Sequence, residues 1–393
     1  MASPKAKVNP DLLVWAREDS GYSVEEAAAK LNVKPERLSS WESGEDRPTM
    51  NQVRALSDVY KRPVALFFMP QRPDGFQVIR DFRRLPGRTT RALSPALRLE
   101  LRRAQERRSM ALDLAADADL KVPTFKLRCN LGDDPEDVGA TIRGALADRA
   151  PEPLNQTFRD WRTNVERLGV LIFIMPYLPT SEVRGFSISE DKFPVIGINR
   201  KDVPAARLFT LIHEFTHLML RTSGICDIGE DEARRPNEQK VEVFCNAVAG
   251  STLVPETELR AHELVVDHPR GDPTWGDYEL TELGTSFGVS REVILRRLLK
   301  LKRTTQAFYR EKRGQFLSEQ RAHDNQASEN NQNNEMKRNI PIETISILGR
   351  PFVQLALDNY HQQRLSLNGL SEVLGVKVRH VPNIERRIMS APL

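Results

Sequence analysis

Residues 205–220 read Ala-Ala-Arg-Leu-Phe-Thr-Leu-Ile-His-Glu-Phe-Thr-His-Leu-Met-Leu, an apolar stretch interrupted by His213, Glu214 and His217. Four residues make just over one helical turn, so the two imidazoles leave one face of a helix and can share a single ion. Glu214, one position on, points beside that ion. From there a carboxylate can take a proton from a water whose pKa a zinc ion has lowered toward neutrality. The competing reading is a pair of core histidines hydrogen-bonded inside a buried helix. It would strand a carboxylate among Leu211, Ile212, Phe215 and Leu218, at considerable cost. The pattern therefore predicts His213 and His217 as metal ligands, Glu214 as general base and Zn2+ as the ion.

Zinc that works on water takes three protein ligands and leaves a fourth position open. Glu242 lies 25 residues after His217 on a predicted helix over 239–250, with Asn246 one turn further on the same face. It is the leading candidate. Glu238, one turn earlier, competes with it, and the acidic run Asp227, Glu230, Asp231 and Glu232 supplies further carboxylates. Arg184, His262 and His268 are candidates for stabilising the charge that develops on a carbonyl oxygen. Surface positions for all three are the plainer reading. Cys226 and Cys245 could bind metal or sense redox state, but small buried residues explain them more simply.

The elements that must hold these groups belong to a chain of 393 residues, a length that suggests two to four domains. A composition 39% hydrophobic and 28% charged suits a globular protein with a buried core. Three cysteines, Cys129, Cys226 and Cys245, form no CxxC pair, which argues against a disulfide framework and a cysteine-type zinc site. The first residues contain no apolar signal segment, and apolar runs reach only about eight residues, short of a bilayer span. A cytoplasmic protein without membrane contact is the expectation. The net charge of +4 is unevenly spread. Residues 1–70 balance ten Lys/Arg against ten Asp/Glu, whereas 71–110 set eleven Arg against four acids, a local +7. Such a stretch suits a polyanion or an acidic partner, or forms a solvated helix face.

Six regions follow. Residues 1–70 form short helices: Ser23 and Glu26 make a capping box, Pro35 suits a first helical turn, and Gly44 ends the helix begun there. Residues 71–150 comprise an Arg-rich connector and a helix from about Ser94 to Ala118. Residues 151–256 form an α/β unit with apolar strands at Val170–Ile174 and Val195–Ile198. Residues 257–317 are helical. Residues 318–339, rich in Asn and Gln, read as a flexible linker, and 340–393 as a small terminal domain. The fold class expected is α+β and mostly helical.

Arg184-Gly185-Phe186-Ser187, Pro194-Val195-Ile196, Asn199, the His213–His217 motif and Glu242-x-x-Cys245-Asn246-x-x-Ala249-x-x-x-Leu253-Val254-Pro255 together resemble the ImmA/IrrE metallopeptidases over roughly 165–256. That family is gluzincin-like and cleaves a repressor or antitoxin in stress, mobile-element and toxin–antitoxin circuits. The resemblance implies Glu242 as third zinc ligand and a helical packing domain after the peptidase. Cys245 and Val248 depart from the usual Ala and Phe, without touching the ligands. Leu12 to Leu66, with Ala27, Leu31, Trp41-Glu42-x-Gly44 and Pro48-Thr49, resembles the XRE/Cro-type helix-turn-helix. The implied reading helix begins at Pro35, with Lys34, Glu36, Arg37, Ser39 and Ser40 facing DNA and Arg80, Arg83, Arg84 and Arg88 as backbone contacts. A charge-balanced module carrying Glu36 fits a protein-binding role as well. The implied partners are a protein substrate, DNA, a toxin and a second copy of the chain. A DNA-binding regulator or antitoxin whose zinc fold senses or scaffolds without proteolysis is the alternative function.

Overall fold

The computed structural model describes residues 4–72, 93–147, 157–176, 178–222, 224–226, 236–330 and 339–390. Arg80, Arg83, Arg84 and Arg88, and the acids Asp227, Glu230, Asp231 and Glu232, lie outside the described residues, as does the side chain of Glu238. The chain divides into two compact units, up to Arg107 and from Arg108. It is mostly helical with one small sheet, the α+β class expected.

In the first unit, α1 (Pro10–Ser20), α2 (Val24–Leu31), α3 (Pro35–Glu42) and α4 (Met50–Tyr60) enclose Leu13, Ala16, Ala27, Ala28, Leu38, Trp41, Val53 and Leu56. Local chemistry sets the boundaries. Ser23 accepts from Glu26 N while the Glu26 carboxylate accepts from Ser23 N, a full capping box. Thr49 and Gln52 repeat it on α4. Asn32 turns between α2 and α3 in the left-handed region at φ 54°, and Pro35 opens α3 where no amide donor is needed. Two buried ion pairs, Arg17–Glu42 and Arg62–Asp19, tie the helices together. The division between units falls within α5 (Pro95–Asp117).

In the second unit, α6 (Pro135–Ala147) and α7 (Phe158–Arg167) precede a four-stranded sheet of order β1-β3-β2-β4. β1 (Leu171–Met175) runs parallel to β3 (Val195–Asn199), with Leu171 opposite Val195. β2 (Gly185–Ile188) is antiparallel to β3 and to β4 (Gly224–Cys226). All residues of β1, β2 and β3 are buried, so these strands are covered on both faces, and β1 and most of β3 read as apolar runs. β4 has three residues and β2 mixes Gly185 and Ser187 with Phe186 and Ile188, so only β1 and β3 stand out as apolar runs in the sequence. Gly197 on β3 leaves room for the Phe186 ring, which a Cβ there would meet at 2.2 Å.

One face of the sheet packs on α8 (Pro204–Met219), behind which lies α9 (Pro236–Leu253). The core continues through α10 (Glu256–Ala261), α11 (Glu263–Asp267), α12 (Asp277–Phe287) and α13 (Arg291–Lys300). It runs unbroken from Phe125 to Tyr309. Phe125, Val138, Ile142, Leu211, Leu283 and Leu295 all belong to this one cluster, which spans the divisions expected after residues 150 and 256. The linker expected from Ser318 is also redrawn. α14 (Gln306–Asn330) is helical well into it, because Glu, Gln, Arg and Ala favour helix without a packing face; residues 331–338 lie outside the described residues.

α15 (Ile340–Leu348), α16 (Arg350–His361), α17 (Leu367–Leu374) and α18 (Val381–Ser390) close the chain. α15 packs along β1, and Phe352 meets Phe173 edge-on at 6.0 Å. Arg162 donates to the outer-edge carbonyl of Ile172 and to Ser346 O, each at 2.7 Å, so the exposed side of β1 is covered rather than left to pair. Among the described residues no single helix is long and apolar enough to cross a membrane.

Candidate metal centre

α8 is buried almost throughout from Leu208 to Met219, which places His213, Glu214 and His217 in the interior. Both imidazoles face inward with their Nε2 atoms 3.2 Å apart. Glu242 enters from α9: its Oε2 lies 3.4 Å from His213 Nε2 and its Oε1 3.5 Å from His217 Nε2. The tertiary fold thus brings together the three residues read as ligands. Cys245 is the near neighbour, its Sγ within 4.8 Å of the imidazole nitrogens.

The outer nitrogens fix what the inner ones offer. His213 Nδ1 lies 3.0 Å from Asn246 Oδ1, which only accepts, so the ring carries its hydrogen there and turns a lone pair inward at Nε2. His217 Nδ1 lies 3.1 Å from Thr222 Oγ1, whose own hydrogen goes to His217 O at 3.3 Å. Two lone pairs and a carboxylate then converge on one point, an arrangement that a cation satisfies. Zinc arms of about 2.0–2.1 Å at tetrahedral angles set ligand atoms about 3.3–3.4 Å apart. The separations of 3.2, 3.4 and 3.5 Å fit that ion.

Electrostatics agree. Burial favours neutral imidazole at His213, but the Glu242 carboxylate outweighs it and raises the pKa. Burial likewise opposes charge on Glu242, yet the two imidazoles hold its carboxyl far below the usual range. The pocket is organised to hold positive charge beside an ionised Glu242. Burial, with Glu242 and Glu214 nearby, pushes the Cys245 thiol well above its ordinary value.

Glu214 is fully buried against β2. A Cβ at Gly185 would meet Thr210 Cγ2 at 2.5 Å and Glu214 Oε1 at 2.9 Å, so this glycine makes the space in which the carboxylate sits. Gly185→Ala is expected to lower peptide cleavage by about 10-fold or more while zinc content is retained, since small misplacements of a reacting group are costly. Parallel metal analysis and rate measurements check this; unchanged rates would mean that Glu214 is not placed by β2.

Arg184, His262 and His268 are engaged elsewhere. Arg184 Nη1 holds both oxygens of buried Asp202 at 3.2 Å. His262 lies 3.3 Å from Ser286 Oγ. His268 is buried, stacked on Trp275 at 3.7 Å and bonded to Glu279. The surface positions expected for Arg184 and His268 are therefore corrected, because each side chain found an interior partner. Thr222 and the space beside Gly185 went unread in the sequence. A threonine five residues past the second histidine, at the helix end, was the available signal.

On α3, Lys34, Glu36, Arg37 and Ser39 are exposed. Ser40 is half-buried and donates to Arg37 O at 2.8 Å, which turns its hydroxyl to the helix itself rather than to solvent.

Comparison with known families follows this division. Residues 165–299 match the family model of the IrrE N-terminal-like domain, and residues 13–67 match a helix-turn-helix model. The chain joins a helix-turn-helix domain to an IrrE-like, metallopeptidase-type domain. The IrrE-like match runs from α7 through α13, beyond the stretch ending near 256 that the motifs had suggested, and in step with the unbroken core. α12 and α13, which have helix-turn-helix character in sequence, bury Leu280, Leu283, Phe287, Ile294, Leu295 and Leu298 in that core and act as packing. No curated protein matches the chain.

Proposed function

We propose that the chain is a regulatory zinc metallo-endopeptidase that cleaves a repressor or antitoxin, with the helix-turn-helix domain placing it on DNA or beside that protein. The observation carrying this reading is the convergence of two inward lone pairs and the Glu242 carboxylate, with Glu214 alongside. His213, His217 and Glu242 would hold the ion. Bound zinc supplies a Lewis acid that polarises the scissile carbonyl and lowers the pKa of water. Asn246 and Thr222 keep both rings in the ligating tautomer. Glu214 accepts the proton of the attacking water at a carboxylate oxygen and returns it to the leaving amine nitrogen.

The test incubates the zinc-loaded chain with repressors encoded beside its gene. One cleavage, lost on chelation and restored by zinc, is the expected result. Absence of cleavage, with wild type and Glu214→Gln repressing equally, would sink the peptidase reading. It would favour the second reading, a DNA-binding regulator whose zinc fold senses or scaffolds. That reading draws on the helix-turn-helix match and the exposed α3 face. Operator affinity that falls with salt, by about 0.9 in log–log slope per neutralised phosphate, supports DNA as a partner; salt-insensitive or absent binding removes it.

A further inference from the structure

The turn between α2 and α3 recurs near the end of the chain. Ser23 and Ser366 each cap an eight-residue helix, α2 and α17, with Oγ accepting from the amide of Glu26 or Gly369 at 3.1 Å. Both helices end on a left-handed residue, Asn32 at φ 54° and Gly375 at φ 65°. Val33 N then bonds Ala28 O, and Val376 N bonds Ser371 O, each at 3.0 Å. The next residue is an extended lysine in both: Lys34 at φ −74°, ψ 146° and Lys377 at φ −71°, ψ 144°. Lys34 opens α3, and Lys377 leads through one 3-10 turn into α18. Buried positions coincide too, Ala27, Leu38 and Trp41 falling in register with Leu370, Val381 and Ile384. Residues 366–385 thus repeat the backbone of 23–42, which lies inside the helix-turn-helix match.

The two copies differ in charge. Residues 32–47 set three Lys/Arg against four Asp/Glu, whereas 375–390 set four against one. Lys377, Arg379, Arg386 and Arg387 are exposed, as is Asn383, and the single acid, Glu385, lies 2.9 Å from His361 Nε2. The same turn appears once more at Gly288, between α12 and α13. There the cations are occupied: Arg291 pairs with Glu319, Arg296 with Glu292, and Arg297 and Lys300 with Glu136. The turn recurs in both places, but only α18 combines it with an outward cationic face.

We propose that α17 and α18 form a second DNA-binding head, with α18 entering the major groove of duplex DNA. In this geometry the start of the second helix meets base edges. Arg379 and Asn383 stand there, side chains suited to guanine and adenine respectively. Lys377, Arg386 and Arg387 supply the phosphate contacts that dominate affinity. Duplex DNA is favoured over an acidic protein because the repeated backbone is one whose second helix fits that groove. The inference requires neither the peptidase reading nor DNA binding by α3.

The test measures anisotropy of a fluorescein-labelled duplex of about 30 base pairs, roughly three helical turns, with the full chain in a salt series. Lys34→Ala/Arg37→Ala should keep salt-dependent binding. Arg379→Ala/Arg386→Ala/Arg387→Ala should lower the log–log salt slope by about 0.9 per phosphate contact removed and weaken binding at every salt concentration. These positions are exposed, and Arg386→Lys/Arg387→Lys should retain the wild-type slope, which separates lost charge from a lost fold. Selection from a randomised duplex pool by the α3 variant should enrich one sequence, with Asn383→Ala relaxing it at one base pair. A triple variant that binds as wild type does, or a wild type that binds no duplex, overturns the proposal. Single-stranded DNA or polyglutamate held as tightly as duplex also overturns it, and makes the face a general polyanion or acidic-protein surface. Binding lost only in the α3 variant removes this head and leaves the N-terminal one standing.

Discussion

Replacing Glu214 by Gln should lower peptide cleavage by about 10²–10⁴-fold while zinc binding stays intact, the range that a positioned general base supplies. The side chain is fully buried, and Gln keeps its shape within the space left by Gly185. The substitution therefore removes the proton acceptor and little else. Because Glu214 is not among the three groups whose atoms converge, metal content measured by elemental analysis should match wild type. Loss of zinc together with activity would place Glu214 in the coordination shell. Unchanged turnover would assign the proton to another group.

The second large effect belongs to Glu242. Glu242→Ala should weaken zinc binding by more than about 100-fold, beyond what loss of an outer partner costs, because it removes the only carboxylate at 3.4–3.5 Å from the two imidazoles among the described residues. It also removes the charge that contributes most to raising the His213 pKa. Competition with a chromophoric chelator measures the change directly. Cys245→Ser is the decisive control. Its sulfur lies within 4.8 Å of the same nitrogens, but the Glu242 carboxylate lies at 3.4–3.5 Å and already completes three ligands, so zinc affinity should hold. The opposite pattern, zinc kept in Glu242→Ala and lost in Cys245→Ser, would make the cysteine the third ligand.

Much of the site could be read in the chain because it depends on local periodicity. His213 and His217 share a face by the helical repeat, and Glu214 falls beside it, whatever surrounds the helix. Capping at Ser23 and Glu26, and the start of α3 at Pro35, were equally local and appear as expected. The reading failed where partners are distant in sequence. Arg184 meets Asp202 and His268 stacks on Trp275 through folding, so composition alone leaves both on the surface. The single hydrophobic cluster from Phe125 to Tyr309 was illegible for the same reason, since its members are distant in sequence.

The sequence by itself determined the helix bearing two imidazoles and a carboxylate, the helix-turn-helix at the N-terminal end, and the mixed but mainly helical class. Only the tertiary structure decided that the Glu242 carboxylate meets the histidines and which oxygens lie against their outer nitrogens. The reason is physical: spacing along one helix fixes directions within about a turn, whereas the meeting of α8 with α9 is set by the buried side chains between them.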